Sequence, residues 1–148
     1  MIWSCFESGA ILLHIADRSE VLMPSDSKAR ARVTAWMFAA LNSIEPHIQN
    51  LTAIDLFHAE EDWAKQRRPA AVKFAQTRLA ALSDWLDSRD YLEDRFTAAD
   101  LLMTTVLRIL RHIDLVTQMP TLEAYRLRCE TRPAFKKALA AQMADFTR

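Results

Sequence analysis

An acidic residue and a hydroxyl stand side by side near the start of the chain, in the stretch CFESGAILLHIAD at residues 5–17. Ser8 can accept hydrogen bonds from the free N–H groups of a first helical turn, and Glu7 would lie at the positive end of that helix's dipole. The pair therefore predicts either a simple helix cap or a site that holds a ligand. The apolar run behind it predicts a short helix from about Ser8 to Arg18.

The two cysteines, Cys5 and Cys129, lie far apart in the sequence, with no metal-ligand spacing around them. This pattern favours free thiols in a reducing compartment over a disulfide scaffold, so we expect a cytoplasmic protein. Cys5 stands just before the first predicted helix, where a thiol can become reactive. A small buried hydrophobic side chain is the favoured interpretation of both cysteines.

Other residues that could bind a metal or a ligand do not have the spacing of a recognisable site. The four histidines lack the spacing of a metal site, so no metal is expected: His14, His47, His58 and His112. Three tryptophans are interpreted as core or interface aromatics rather than a binding platform: Trp36, Trp63 and Trp85.

Composition limits the fold and the partners. The 148 residues suit one domain, and 19 basic side chains balance 19 acidic ones, which predicts neither a nucleic-acid partner nor a membrane surface. The longest apolar stretches are broken by charges before they reach membrane-spanning length, and the N-terminus lacks a signal-peptide pattern. A single glycine, Gly9, argues against phosphate loops, dinucleotide folds and tight hairpins, while 51% hydrophobic residues favour helices. We therefore expect an all-α fold.

The apolar spacing divides the rest of the chain into helices. A long helix is predicted from Lys28, with a kink or an end at Pro46. Residues 62–70 are predicted to be a polar connection, followed by a helix from Pro69 to Ser88 with proline in its first turn.

The second half of the chain contains the clearest local signal. Thr97 and Asp100 have the spacing of a capping box, and the body from Leu101 to Ile113 is apolar on nearly all sides, which predicts a central helix. Two further helices are predicted, one from Pro120 to about Cys129 and one opened by TRPAFKKALAAQM.

Four segments in this order resemble the cytosolic glutathione S-transferase family, particularly its bacterial members. They are ESGAI at a helix start, the long helix with Trp36, FTAAD at a buried helix, and PTLEAYRLRCETRPAFKKAL. The resemblance covers nearly the whole chain. It implies that Glu7 pairs with the γ-glutamyl ammonium of glutathione, that Ser8 binds its carboxylate, and that the Thr97–Asp100 box nucleates the core helix. The family's helical bundle is thus expected at 25–148, with 1–24 as the last helix of a thioredoxin-like domain and a linker.

The resemblance also implies an activity, a co-substrate and partners. The expected reaction is the detoxifying conjugation of glutathione to small hydrophobic electrophiles by a homodimer, without a metal. Asn42, Glu45 and Ile109 fall where relatives place electrophile-pocket or dimer contacts. No residue corresponds to the family's thiol-activating residue, which belongs to the thioredoxin-like domain, so no catalytic residue is assigned.

Two alternatives to an active enzyme remain open at this point. One is a non-catalytic helical interaction module, and the other is a fragment of a full-length transferase. Because the thioredoxin-like sheet has no counterpart in the sequence, three apolar residues of the first helix are expected to need another cover, such as a second copy: Ile11, Leu12 and Ile15.

Overall fold

The computed structural model describes residues 4–146, and within that range every regular element is helical. The part of the chain that the structure describes contains seven α-helices: α1 Ser8–Ala16, α2 Ser27–Phe38, α3 Glu45–Phe57, α4 Asp62–Leu86, α5 Ala98–Leu107, α6 Pro120–Glu130 and α7 Pro133–Asp145. A π-helical segment, Ala39–Ile44, joins α2 to α3, and a 3₁₀ segment, Arg108–Leu110, extends α5. The expected all-α fold is confirmed.

Helix α5 forms the centre of the bundle, as its apolar sequence predicts. Eight of its residues are buried, including Asp100 and Thr104, and it packs against α1, α2, α3 and α6. Helices α3 and α4 form an antiparallel pair beside it. A helix that is apolar on nearly all sides can bury its apolar surface only when other helices surround it.

The π-helical segment precedes Pro46 and changes the expected kink. Pro46 lies in the first turn of α3, directly after a helical turn to which it can donate no N–H. The wider π-helical turn at Ala39–Ile44 therefore accommodates the proline, and the chain passes from α2 to α3 without a loop. A π-bulge of this kind often lies at a functional site, and this one contains Asn42.

The expected connection at residues 62–70 was wrong. Helix α4 begins at Asp62 and runs through Pro69, which is an interior residue of the helix. Ala64 and Ala71 are buried on the face of α4 that continues into Ala75, so tertiary packing offsets the local cost of proline. Pro69 has no N–H for the carbonyl of Lys65, four residues earlier, and Lys65 is an exposed residue, where water can take the place of that donor.

Two other helix ends also differ from expectation. Helix α1 ends at Ala16 rather than Arg18, and α5 ends at Leu107, with the 3₁₀ turn completing the segment that was expected to reach Ile113. The helices at Pro120 and Pro133 are confirmed. Among the helices within residues 4–146, none combines the length and the apolar character that crossing a bilayer requires.

Candidate functional site

Glu7 has the most unusual backbone of the residues that the structure describes. Its φ of 69° and ψ of 123° make it the one non-glycine residue at positive φ in the described range 4–146. A side chain at positive φ costs on the order of 1 kcal/mol or more, and such strain is found mainly at functional sites. The conformation is therefore a structural sign, independent of sequence pattern, that this turn has a role beyond chain connection.

The expected capping role of Ser8 was wrong. Glu7 occupies the N-cap position of α1, its side chain makes no capping hydrogen bond, and Ser8 is the first residue inside the helix. A residue inside the helix cannot have the extended N-cap backbone that turns its side-chain oxygen back toward the first-turn N–H groups. Both side chains are exposed, so they remain available to a ligand.

The start of α1 offers hydrogen-bond donors. Its first intrahelical bond runs from the N–H of Ile11 to the carbonyl of Glu7, at 2.9 Å. The N–H groups of Ser8, Gly9 and Ala10 therefore have no acceptor within the helix. Together with the hydroxyl of Ser8 and the positive end of the helix dipole, they form an arrangement suited to a carboxylate.

Gly9 explains how this turn is positioned. It is buried, and a Cβ built on it would lie 2.8 Å from Cδ1 of Leu41, closer than carbon atoms can approach. Glycine therefore allows the first turn of α1 to lie directly against the π-helical segment. Sequence reasoning used the scarcity of glycine to exclude folds and missed this role, which only the three-dimensional contact reveals.

The three residues expected in an electrophile pocket or dimer contact lie on different elements. Asn42 is exposed in the π-helical segment, next to the Leu41 that meets α1. Glu45 begins α3, and its Oε1 accepts a hydrogen bond from Nε2 of Gln49 at 2.8 Å. Ile109 lies in the 3₁₀ segment and packs against the core. In the described chain no hydrogen bond or ion pair joins these three to Glu7 or Ser8, so their roles stay predictions.

The capping box at the start of α5 is confirmed and is part of a larger buried network. Oδ2 of Asp100 accepts the N–H of Thr97 at 2.8 Å, while Oδ1 accepts the N–H of Leu92 at 2.9 Å and the hydroxyl of Tyr125 at 3.0 Å. Burial raises the pKa of Asp100 and places that of Tyr125 well above its ordinary value. The sequence signal found Thr97 but could not find Leu92 and Tyr125, which approach from elsewhere in the fold.

The two cysteines have different surroundings. Cys129 is 2% exposed, and burial raises the pKa of its thiol to about 11, so it is protonated and inert at neutral pH. Cys5 is partly exposed, and its Sγ lies 3.9 Å from the carbonyl oxygen of Phe6. Both are free thiols.

The three tryptophans and the residues that could bind a metal are the remaining candidates. Trp36 packs partly buried against the core, with its ring centroid 5.1 Å from that of Trp85, whereas Trp63 is 47% exposed and lies outside the core. Within residues 4–146 no group of three or more His, Cys, Asp or Glu side chains could hold a metal ion.

Solved structures similar to the chain include bacterial glutathione transferases. That of Burkholderia graminis, with two glutathione molecules bound per subunit, has a TM-score of 0.83 at 26% identity, over 91% of this chain and 59% of its own. A family member from Pseudomonas fluorescens with two bound glutathiones has a TM-score of 0.84 at 25% identity, over 93% of this chain and 63% of its own. A glutathione transferase from Pseudomonas putida with one bound glutathione disulfide per subunit has a TM-score of 0.82 at 25% identity, over 91% of this chain and 61% of its own.

The chain therefore has a glutathione transferase-like fold, and its helices match the helical C-terminal domain of that fold. It spans about 59% to 63% of the length of these three proteins. No protein-family model matches the chain, and no curated protein does.

Proposed function

We propose that the chain binds the γ-glutamyl end of glutathione at the start of α1 and serves the conjugation of glutathione to small hydrophobic electrophiles. The observation that carries the proposal is the positive φ of Glu7 directly before an exposed Ser8 and a helix N-terminus with free donors. The bound glutathione in structures of the same fold supports the choice of ligand.

The γ-glutamyl end of glutathione carries an ammonium and a carboxylate on one carbon atom, and the site offers a partner for each. The carboxylate accepts hydrogen bonds from the first-turn N–H groups and from the hydroxyl of Ser8, aided by the helix dipole. The carboxylate of Glu7 forms an ion pair with the ammonium. Because the two charged groups of the ligand are neighbours, adjacent residues at a sharp turn can bind both.

In the proposed reaction, the thiolate of glutathione forms a carbon–sulfur bond with the electrophile, and the leaving group departs with the displaced electron pair. The thiol must first lose its proton, and a donor or a cation near sulfur normally stabilises the thiolate. We assign no residue of this chain to that role. Binding of glutathione and conjugation are therefore separate parts of the proposal.

The remaining roles follow the same proposal. Asn42, Glu45 and Ile109 would contact the electrophile or a second copy of the chain, and no metal takes part. A homodimer would cover Ile11 and Ile15, which are 40% and 52% exposed, whereas Leu12 packs against the protein's own core. We propose residues 1–24 as the remainder of a thioredoxin-like domain and 25–148 as the helical domain, in a reducing cytoplasm.

The binding proposal is tested by titration calorimetry with glutathione. Ser8→Ala should weaken binding about tenfold, because it removes one hydrogen bond to a charged group. Ser27→Ala is the matched control, since Ser27 is also an exposed first residue of a helix. Glu7→Gln should weaken binding to a similar extent by removing the ion pair with the ammonium. Equal affinities of the Ser8 and Ser27 variants would contradict the assignment of the site.

Conjugation is tested separately with a chloro-nitroaromatic electrophile. Because the chain has no assigned thiol-activating residue, we expect the 148-residue chain alone to show no turnover above the buffer rate. Turnover that disappears in Cys5→Ala would instead make Cys5 the activating residue. Glutathione binding without turnover is also compatible with the alternative function, a non-catalytic interaction module that keeps the ligand site.

A further inference from the structure

A cavity of about 440 Å³ opens where the end of α3, the start of α4 and the turn after the 3₁₀ segment meet. Its volume is in the range of small-molecule sites. Its lining in the described chain includes none of the residues assigned above to glutathione or to the electrophile. Apolar side chains provide most of its surface, among them Ile54, Leu56 and Ile113.

Two cations on neighbouring turns of α4 face this cavity. Lys65 and Arg68 both line it, and their spacing of three residues places them on one side of the helix. The Nζ of Lys65 lies 3.8 Å from Oε2 of Glu60, whose side chain is 99% exposed. So long and exposed a contact contributes little, which leaves the ammonium available to another anion.

The one acidic side chain in the lining, Asp55, is already neutralised. Its Oδ1 accepts from Nε of Arg68 at 2.6 Å and its Oδ2 from Nη2 at 3.1 Å, so the guanidinium holds both oxygens. Asp55 is 10% exposed, whereas Arg68 is 47% exposed. The outer edge of Arg68 therefore still faces the solvent side of the cavity, and the lining has an excess of positive charge.

His112 lines another part of the cavity. Its Nδ1 lies 3.1 Å from the carbonyl of Ile109, and its Nε2 lies 3.4 Å from Oδ2 of Asp55 without forming a hydrogen bond. Both nitrogens thus lie near polar groups of the protein. Leu56 is 56% exposed at the mouth, where an apolar ligand would cover it.

We propose that this cavity binds a small organic carboxylate with an aromatic or aliphatic body, at a site separate from that of glutathione. The carboxylate pairs with Lys65 and with the outer edge of Arg68. The apolar body lies against Ile54, which is buried at the base of the lining, and against Leu56 and Ile113, which are otherwise partly open to water. Electrostatic attraction selects the anion, and burial of apolar surface supplies the remaining affinity.

Titration of the ¹⁵N-labelled chain with 1-naphthoate, followed by NMR, tests the proposal. Shifts should concentrate in residues 54–68 and 112–113, and the neutral isostere 1-naphthamide should bind at least about tenfold more weakly. Lys65→Gln should weaken naphthoate binding about tenfold. Lys73→Gln, an exposed lysine on the same helix outside the cavity, should leave it unchanged.

A steric variant makes the test independent of charge. Ala59→Trp should abolish naphthoate binding, because Ala59 is an exposed residue of the lining and an indole would occupy the cavity. Ala81→Trp, at an exposed position of α4 away from the cavity, should have no effect. Ser8→Ala should not alter naphthoate binding, which separates this site from the glutathione proposal. Equal binding of naphthoate and naphthamide, or retained binding in Ala59→Trp, would overturn the inference.

Discussion

The hydroxyl of Tyr125 in α6 donates a hydrogen bond of 3.0 Å to Oδ1 of Asp100 in the first turn of α5. Tyr125 is 1% exposed and Asp100 is fully buried, so this bond joins two helices inside the core. The other carboxylate oxygen caps α5 through Thr97. One side chain therefore both begins the central helix and attaches it to its neighbour.

Asp100→Asn should destabilise the chain by about 1–3 kcal/mol. The amide has only one acceptor oxygen, so its NH₂ group would face either the N–H of Thr97 or the donors at Leu92 and Tyr125. Urea denaturation measures the change, with the exposed Asp94→Asn as control. Tyr125→Phe should cost about 1 kcal/mol, and a double-mutant cycle should show that the two losses are not additive. Additive losses would mean that the hydrogen bond gives no coupling free energy between Asp100 and Tyr125.

Glu7→Gly should stabilise the fold while it weakens glutathione binding. Glycine takes positive φ without strain, so the free energy of unfolding should rise by up to about 1 kcal/mol. The ion pair proposed for the γ-glutamyl ammonium is lost in the same variant. Thermal unfolding and calorimetry on one preparation separate the two effects. A less stable Glu7→Gly protein would show that the turn is not strained.

The two thiols should react at very different rates. At pH 8 an aromatic disulfide reagent should modify Cys5 in the native chain, and Cys129 only after unfolding, because Cys129 is buried and protonated. Rapid modification of both thiols in the native protein would contradict this burial.

Cys129 should also contribute to alkaline destabilisation. Burial raises the pKa of its thiol from 9.0 to about 11, so the folded chain keeps a proton that the unfolded chain loses in this range. Stability should therefore fall as the pH rises from 9 to 11, by on the order of 1–3 kcal/mol from this group. Cys129→Val should show a shallower dependence in urea denaturation at a series of pH values, and an unchanged dependence in that variant would contradict the contribution of Cys129.

Pro69→Ala should stabilise the chain by about 1–3 kcal/mol, because proline in a helix interior removes a hydrogen bond and alanine restores it. Pro133→Ala provides the contrast, since Pro133 begins α7, where proline costs little. We expect that second change to stay within about 0.5 kcal/mol. Chemical denaturation of the two variants compares them directly, and unaltered stability of the Pro69 variant would show that proline has no cost at this position of α4.

The isolated chain should self-associate through α1. Ile11 and Ile15 lie one turn apart and are exposed, which gives a second copy an apolar surface to cover. Sedimentation should show a dimer or larger species at micromolar concentration. Ile11→Glu with Ile15→Glu should shift it to monomer, whereas Val21→Glu, at an exposed residue beyond α1, should not. A parent chain that remains monomeric would exclude this surface as an interface.

The sequence was sufficient to predict features that are formed by residues close together in the chain. The Thr97–Asp100 box lies within one turn, so its two side chains meet whatever surrounds them. The apolar spacing predicted a central helix at Leu101–Ile113, and the scarcity of glycine argued against phosphate loops, dinucleotide folds and tight hairpins. The order of ESGAI, Trp36, FTAAD and the final segment also indicated the fold that the solved structures confirm.

Other features depended on contacts between segments distant in sequence. Pro69 is tolerated inside α4 because that helix buries Ala64 and Ala71 along one continuous face, a gain that no local propensity contains. The close approach of Leu41 to Gly9 and the meeting of His112 with the Asp55–Arg68 pair at the cavity also join segments that are distant in sequence. The sequence by itself determined the helical class and the central capping box. Only the tertiary structure decided the strained turn at Glu7 and the surroundings of each polar group, since those depend on which helices pack together.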